Sequence, residues 1–464
     1  SRGLGDVYKR QHLVATAMTM QAVRHCPALM MCAPASGQGK TTMTAGLARL
    51  LTRQGRRVRV FKCGPDFLDP FWLQLASGAP VHSIDLWMTG PQDIAQRLWE
   101  ASGDADLILI EGVMGLLDGH PSAADLAEQW NLPLIALIDA SAMAGTFGAL
   151  AYGLMHYRPG LRWAGVLANR VAGAGHAAML RESVREPAHW LGAVPWDAQM
   201  LLPERHLGLK VAHEIDQPMA LLDAAADALA LTALGPMCLT DLEAYSTCFA
   251  PPTHPCSVPD LLSGLRIAVA RDPAFCFIYE ANLSALRDLG ADLVFFSPLA
   301  GDGLPEADAV WLPGGYPELH AATLSQLHGL ANQLRAHVRS GKPLWAECGG
   351  MMALFDTLVD HAGHSHAMWG LLPGCVRMQV RLVGLGMQQL NLPAGALRGH
   401  CFHHSVVETS ARVGWRTVKP GEKNPGSDCE SVYVERSLRA SYFHAWMPSD
   451  LRATASLFLP GALA

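Results

Sequence analysis

The sequence predicts an α/β chain made of two successive parallel-sheet units, and three observations carry that reading. Continuous apolar runs of strand length alternate with amphipathic stretches of helix length in both halves. A proline-rich segment separates the halves: residues 235–264 contain Pro236, Pro251, Pro252, Pro255 and Pro259, a poor helix or strand and a natural boundary. The polar residues that break the apolar pattern fall at the carboxyl ends of the runs, where parallel sheets bind ligands. A chain of 464 residues also exceeds one ordinary core. The expected division is an extraneous or disordered extension over 1–25, a first unit over 26–234, a linker over 235–264 and a second unit over 265–464.

In the first half, ALMMCAP (28–34) reads as a strand and KTTMTAGLARLLTRQG (40–55) as a helix ending at a glycine. VRVFKCGP (58–65), ADLILIEGV (105–113), LPLIALIDA (132–140) and WAGVLANRV (163–171) supply four more strands. Uninterrupted apolar strands of this kind lie in a sheet covered on both faces. Ala140–Tyr157, rich in Gly and Ala and bounded by Asp139 and Arg158, reads as a buried helix and not as a membrane span. SRGLGDVYKRQ at the start shows no apolar signal region and no initiator Met, so the reading begins near Met18 or Met20.

The strand ends form a site. Ser36, Gly37, Gly39, Lys40, Thr41 and Thr42 follow the first strand, in CAPASGQGKTT (32–42). Glycines there let backbone N–H groups approach phosphate oxygens at a helix N-terminus, Lys40 neutralises the phosphates, and the Thr41 hydroxyl suits Mg²⁺. Asp66 and Asp69 follow the second strand, Glu111 and Asp118 the third, Asp139 the fourth and Asn169 the fifth. Asp66 and Glu111 are hard oxygen donors suited to Mg²⁺. Pro34 replaces the first glycine of the strict phosphate-loop pattern, so the carboxylates matter to the assignment. The ligand expected is a nucleotide.

The second half repeats the strand and helix alternation. LRIAVARD (265–272), DLVFFSP (292–298), ADAVWLPGG (307–315) and KPLWAEC (342–348) read as strands and EANLSALRDLGA (280–291) as a helix. Cys348 ends the last of these strands, and GGMMALF starts a helix. Such a strand–turn–helix holds a nucleophile outward, and the helix N-terminus is expected to lower the thiol pKa. The Gly349 N–H and a donor from Gly314 or Gly315 would form an oxyanion hole. A thiol nucleophile needs a histidine base, and the candidates are His400, His403, His404 and His444. His361, His364 and His366 read as a hydrated surface loop and not as a metal site.

Composition removes other classes. A net charge of −6 without a basic block argues against nucleic acid as a partner. Eleven scattered cysteines with no CxxC pair point to a reducing, cytoplasmic compartment.

Seven segments occur in one order: CAPASGQGKTT, FKCGPDFLDP (61–70), IEGVMGLLDG (110–119), LPERHLGL (202–209), LPGGYPEL (312–319), AECGGMM and ASYFHAW. In these the chain resembles the cobyrinic acid a,c-diamide synthase family, the cobyrinate and hydrogenobyrinate enzymes of cobalamin biosynthesis, from about residue 26 to the C-terminus. The resemblance implies a dethiobiotin-synthetase-like P-loop domain followed by a class I glutamine amidotransferase-like domain. It implies ATP- and glutamine-dependent amidation of the a and c acetates of a corrinoid. The carboxylate would be activated as an acyl phosphate, and ammonia would come from glutamine at Cys348. It also implies His444 as the activating histidine and Asn169 as a reader of the adenine edge. Phe67, Leu68 and Asp69, with the PERHLGL loop, would flank the corrinoid. Class I glutaminases usually carry Glu two residues after the histidine, where this chain has Trp446; the resemblance therefore implies a Cys–His dyad. Family members often read GHEFH where this chain has Cys401. Two other readings stay open: a cobyric acid synthase-like corrinoid ligase, and a non-catalytic P-loop scaffold with a relic amidotransferase domain.

Overall fold

The computed structural model describes residues 22–205, 208–209, 215–252 and 260–462. Residues 1–21, most of the expected extension, lie outside the described residues, as do positions 206 and 207 of the PERHLGL loop.

The first half is a parallel sheet. Its strands are β1 (Arg24–Cys32), β2 (Val58–Cys63), β3 (His82–Ile84), β4 (Leu107–Glu111), β5 (Leu134–Asp139), β6 (Trp163–Val171) and β7 (Trp190–Pro195). They run in the order β3-β2-β4-β1-β5-β6-β7. Alternate residues of each strand feed opposite cores. Met30, Cys32, Ile108 and Ile110 enter one cluster and Leu29, Met31, Leu107 and Leu109 the other, which is why these strands read as unbroken apolar runs. Helix α1 (Lys40–Arg53) follows β1, and α2 (Asp69–Ser77) follows β2.

Two expectations change here. The segment expected as linker contains the helix Leu239–Glu243, a two-residue hairpin pair having already formed upstream from β8 (Glu204–Arg205) and β9 (Gly208–Leu209). It also contains β10 (Ser246–Phe249), which pairs antiparallel with the start of β1, from Arg24↔Phe249 to Pro27↔Ser246. Pro236 and Pro251 bracket this strand without interrupting it, and Thr247 and Phe249 alternate into the core. The chain leaves the first sheet only after residue 249, and 253–259 lie outside the described residues. The second change concerns Ala140–Tyr157. Its helix begins at Thr146 and buries only Phe147, Gly148 and Ala151, while Tyr157 is 77% exposed. Among the described residues no helix is long and apolar enough to cross a membrane.

The second half has a central sheet of β11 (Arg266–Ala270), β12 (Asp292–Phe296), β13 (Ala309–Leu312) and β14 (Leu344–Glu347). Two smaller sheets follow from β15 (Phe355–Val359), β16 (Ser365–Ala367), β17 (Leu372–Met378), β18 (Gly384–Leu392), β19 (Gly395–His403) and β20 (Ser405–Glu408). The chain then returns through β21 (Arg412–Arg416), β22 (Ser431–Glu435), β23 (Leu438–Ser441) and β24 (His444–Trp446). The central order is β12-β11-β13-β14-β23-β22-β21, with β14 and β23 parallel neighbours. That adjacency matters for chemistry: Cys348 follows β14 directly, and His444 opens β24 three residues after the end of β23.

The halves meet along an apolar seam. Met88, with Phe67 and Trp87 packed beside it, joins Tyr279, Ala281, Trp446 and Met387 from the second half. Arg398 donates to the Thr89 carbonyl across the same seam, at 3.2 Å.

Candidate functional site

The phosphate loop is built as its residue types demand. Gly37 and Gly39 hold φ of 78° and 91°, a region that costs side-chain-bearing residues. A Cβ on Gly39 would stand 2.5 Å from Asn169 Nδ2. Lys40 is buried and donates to the carbonyls of Ala35 (3.2 Å) and Met114 (2.6 Å). Burial, then the neighbouring Lys62 charge, lowers its pKa. Ser36 and Gly37 are exposed, and Thr42 sits half-buried in the first turn of α1.

Strand register assembles the carboxylate cluster. Lys62 on β2 and Glu111 on β4 are direct partners in parallel pairing, so their side chains meet. Lys62 Nζ stands 3.0 Å from Glu111 Oε1 and 2.7 Å from Asp69 Oδ2. Thr41 Oγ1 donates to the same Glu111 oxygen at 2.7 Å. Asp66 Oδ1 accepts from the N–H groups of Leu68 (2.7 Å) and Asp69 (3.0 Å), which fixes the GPDFLDP turn at the head of α2. Burial pushes Glu111 up to about 8 against the pull of Lys62. Burial and the Asp69 charge push Asp66 up to about 7. Burial opposes ionisation of Asp69 as well, but Lys62 holds that carboxyl below its ordinary value. Lys62 itself is held above its usual range, the three carboxylates outweighing its own burial.

This cluster was only partly legible in advance. Lys62 is the residue the sequence reading lacks, although a cation near the carboxyl end of the strand VRVFKC is the same kind of signal that marks Glu111. Asn169 is placed differently from a free base reader. Its Nδ2 donates to Gln38 O at 2.8 Å and its Oδ1 accepts from Arg170 N at 2.9 Å, so it braces the phosphate loop. Asp139 pairs with Arg170 (2.5 Å), and Asp118 accepts from Gly115 N in a turn (3.0 Å).

Among the described residues no three His, Cys, Asp or Glu side chains converge as a complete metal site. Mg²⁺ in phosphate-transfer sites takes one or two carboxylates and completes its shell with phosphate and water. The residues fit that pattern: Glu111 Oε2 is buried with no hydrogen-bond partner, next to the Thr41 hydroxyl.

In the second half the thiol sits on a sharp turn. Cys348 adopts φ 42° and ψ −107°, and its N–H donates to Ser441 O at 2.7 Å. A cysteine at positive φ stores strain of the kind found at nucleophile turns. The expected lowering of its pKa does not occur. Burial pushes the thiol up, with Glu318 adding to the effect, and the Gly349 N–H offsets it only in part. The helix after it spans only Gly349–Met352, too short to overcome desolvation. Gly349 and Gly315 lie in close approach: a Cβ on Gly349 would stand 2.8 Å from Gly315 N. A Cβ on Gly314 would stand 2.4 Å from His444 Cε1.

The candidate histidines separate by geometry. His444 on β24 is 1% exposed and pairs in register with His400 on β19; their rings stack at 5.1 Å. Burial first, then His403, lowers His444 to about 3, and burial holds His400 well below its ordinary value. His403 is engaged on both nitrogens, by Ser405 O (2.9 Å) and Glu430 Oε1 (3.1 Å). His404 follows the last residue of that strand, its pKa lowered by burial. Cys401 takes a hydrogen bond from Gln388 Nε2 at 3.1 Å, a packing role.

Phe67 joins the two sites. It extends from the turn that carries Asp66 and Asp69 and stacks on Phe277 of the other half, ring centroids 5.0 Å apart at 5°. It also stands 5.0 Å from His444 and 5.5 Å from His400. Beside it opens a cavity of about 580 Å³ at the seam, lined by Asp66, Phe67, Phe71, Gln74, Arg271 and Tyr279 among others.

Fold and site define a glutamine amidotransferase joined to a P-loop nucleotide-binding domain. Residues 29–209 match the CobQ/CobB/MinD/ParA nucleotide binding domain, and residues 266–451 match the CobB/CobQ-like glutamine amidotransferase domain. The chain belongs to the a,c-diamide synthase family, the glutamine-dependent amidating ligases of cobalamin biosynthesis. It is 54% identical to the hydrogenobyrinate a,c-diamide synthase of Stutzerimonas stutzeri over 94% of this chain and 99% of that one. It is 52% identical to the hydrogenobyrinate a,c-diamide synthase of Pseudomonas aeruginosa, over 94% of this chain and 98% of that one. The cobyrinate a,c-diamide synthase of Herminiimonas arsenicoxydans is 49% identical, over 92% and 95%.

Proposed function

We propose that this chain amidates the a and c acetates of cobyrinate or hydrogenobyrinate, with ATP hydrolysed in the first half and glutamine in the second. The carrying observation is the Phe67 bridge: the turn that bears Asp66 and Asp69 ends on the imidazole of His444. In this reading Cys348 attacks the glutamine carboxamide carbon. His444 takes the thiol proton and passes it to the departing nitrogen, and the N–H groups of Gly315 and Gly349 hold the oxyanion. Water then releases glutamate from the thioester.

In the first half a corrinoid carboxylate oxygen attacks the γ-phosphorus and ADP leaves. Ser36, Gly37, Gly39, Lys40 and Thr42 position the phosphates, braced by Asn169, which holds the Gln38 carbonyl of the loop. Thr41, Glu111 and Asp66 would hold Mg²⁺, which when bound neutralises phosphate charge. Asp66, Phe67, Leu68 and Asp69 present the acetate. Ammonia displaces phosphate from the acyl carbon. A carboxylate is too poor an electrophile for ammonia alone, and water would destroy the activated form, so both sites belong in one chain. A reducing, cytoplasmic location fits the eleven scattered cysteines of the chain, none of them in a CxxC pair.

The test supplies ATP, glutamine and each corrinoid whose carboxylates carry ¹⁸O. The expected products are the diamide and phosphate bearing one ¹⁸O per amide. Diamide with unlabelled phosphate would exclude the acyl phosphate. Turnover of only one corrinoid would settle which form is the substrate.

A further inference from the structure

His444 presents an unsatisfied group. Its Nδ1 is buried with no hydrogen-bond partner, a costly state for an imidazole that must carry charge. Oε2 of Glu347 stands 3.8 Å from it, and both side chains are 1% exposed. The other Glu347 oxygen is fixed: Oε1 accepts from Trp345 Nε1 at 2.8 Å and from Ala445 N at 3.3 Å. Ala445 follows His444 directly, so this carboxylate is tied to the short strand that carries the imidazole. Register supplies the same placement, since Glu347 pairs with Ser441 at the end of β23, and His444 follows three residues later.

We propose that Glu347 is the positioning residue of the glutaminase: it accepts the Nδ1–H of His444 and so leaves Nε2 free to take the Cys348 proton. The inference rests on the reading of Cys348 and His444 as nucleophile and base. The S–H proton moves to Nε2, the sulfur bonds to the carboxamide carbon, and the C–N bond breaks as the same proton passes to the departing ammonia. The imidazolium formed between these transfers lies against the carboxylate. At 3.8 Å the contact must shorten by about 1 Å, a tightening common on substrate binding.

Other groups face the same ring. His400 stacks on it and Phe67 covers it, neither offering an acceptor at Nδ1. His403 and Glu430 lie within electrostatic reach, but Glu430 is engaged by His403 at 3.1 Å. Burial pushes Glu347 up to about 8 and His444 down to about 3, so charge on either needs the other close by. A purely structural Glu347, holding Trp345 and Ala445 in place, is the competing role.

The experiment uses Glu347→Gln, Glu347→Asp and His444→Ala in the full chain. Gln keeps an acceptor for Trp345 and Ala445 but turns a donor toward Nδ1. Glu347→Gln should lower glutamine-dependent kcat about 10²–10⁴-fold while KM for glutamine and ammonia-dependent amidation hold. Glu347→Asp should recover part of the loss. Glu347→Gln with wild-type glutaminase kcat, or with ammonia-dependent amidation lost in parallel, overturns the proposal. Glutamine hydrolysis by His444→Ala would instead overturn the site reading beneath it.

Discussion

The ring of Phe67, from the phosphate-binding half, lies parallel to that of Phe277, from the amidotransferase half, at 5.0 Å and 5°. The same ring touches Tyr279 at 4.3 Å and stands against His444. One side chain thereby senses both sites. Phe67→Ala should leave glutamine hydrolysis and ATP hydrolysis measurable but loosen their coupling. The glutamate released per amide formed should rise above that of wild type. An unchanged ratio would mean that the stack only glues the halves together.

Cys348→Ala should abolish glutamine-dependent amidation and spare the reaction with added ammonia, because the thiol only generates ammonia. Lys40→Ala should lose both, since neither nitrogen source attacks an unactivated carboxylate; its glutaminase should persist. Parallel assays with glutamine and ammonium salt decide this. Loss of the ammonia reaction in a folded Cys348→Ala protein would contradict the two-site reading.

The sequence exposed the parallel strands that form the two cores, β1, β2, β4 to β6 and β11 to β14, because covered parallel strands announce themselves as apolar runs; the strands after Cys348, where antiparallel pairing enters, carry no such signal. The phosphate loop, the carboxylates of Asp66 and Glu111 and the elbow at Cys348 stood out as polar breaks at strand ends. What stayed hidden depends on register and on tertiary contact. Lys62 meets Glu111 only because β2 and β4 pair side by side. Glu347 reaches His444 only because β14 and β23 are neighbours. The Cys348 thiol departs from the local expectation for a related reason: a turn and a helix N-terminus are local, whereas the burial that dominates it is not. β10 is hidden because flanking prolines mask a short alternating strand.

Lys62 lies between Asp69 and Glu111, its side chain 5% exposed. Removing one partner from a buried ion network leaves charge uncompensated, at a cost of about 3–5 kcal/mol. Lys62→Met should therefore lower the urea midpoint strongly, and ATP addition should restore little. A midpoint within error of wild type would show that the carboxylates neutralise themselves by protonation.

Acid should destabilise the fold through its buried neutral histidines. Burial, then Arg97, pushes His82 down to about 3. The unfolded chain binds a proton at about pH 6.5 that the native His82 refuses until about pH 3, so stability falls as pH drops through that window. His82→Gln removes this dependence while the other groups stay the same. The stability gap between wild type and variant should thus narrow by about 2 kcal/mol between pH 7 and pH 5. Parallel urea curves at the two pH values measure it; a constant gap would mean that His82 is protonated in the native state.

Two acetates must be amidated, yet the described residues hold one phosphate loop and one thiol elbow. One site therefore acts twice, and the corrinoid must turn between rounds to bring its second acetate to the same γ-phosphate. A ring held rigidly in one pose could not do so. The seam beside Asp66 and Phe67 supplies a cavity of about 580 Å³ bounded by both halves, which offers the ring a partial, open berth in place of a closed slot. We therefore predict release and rebinding between the two rounds. A monoamide should accumulate transiently and exchange with free corrinoid. A time course with excess substrate, chased with labelled corrinoid after the first amidation, reads this directly: label should enter the monoamide pool and then the diamide. Diamide formed with no free monoamide at any time would show that the ring turns without leaving the enzyme.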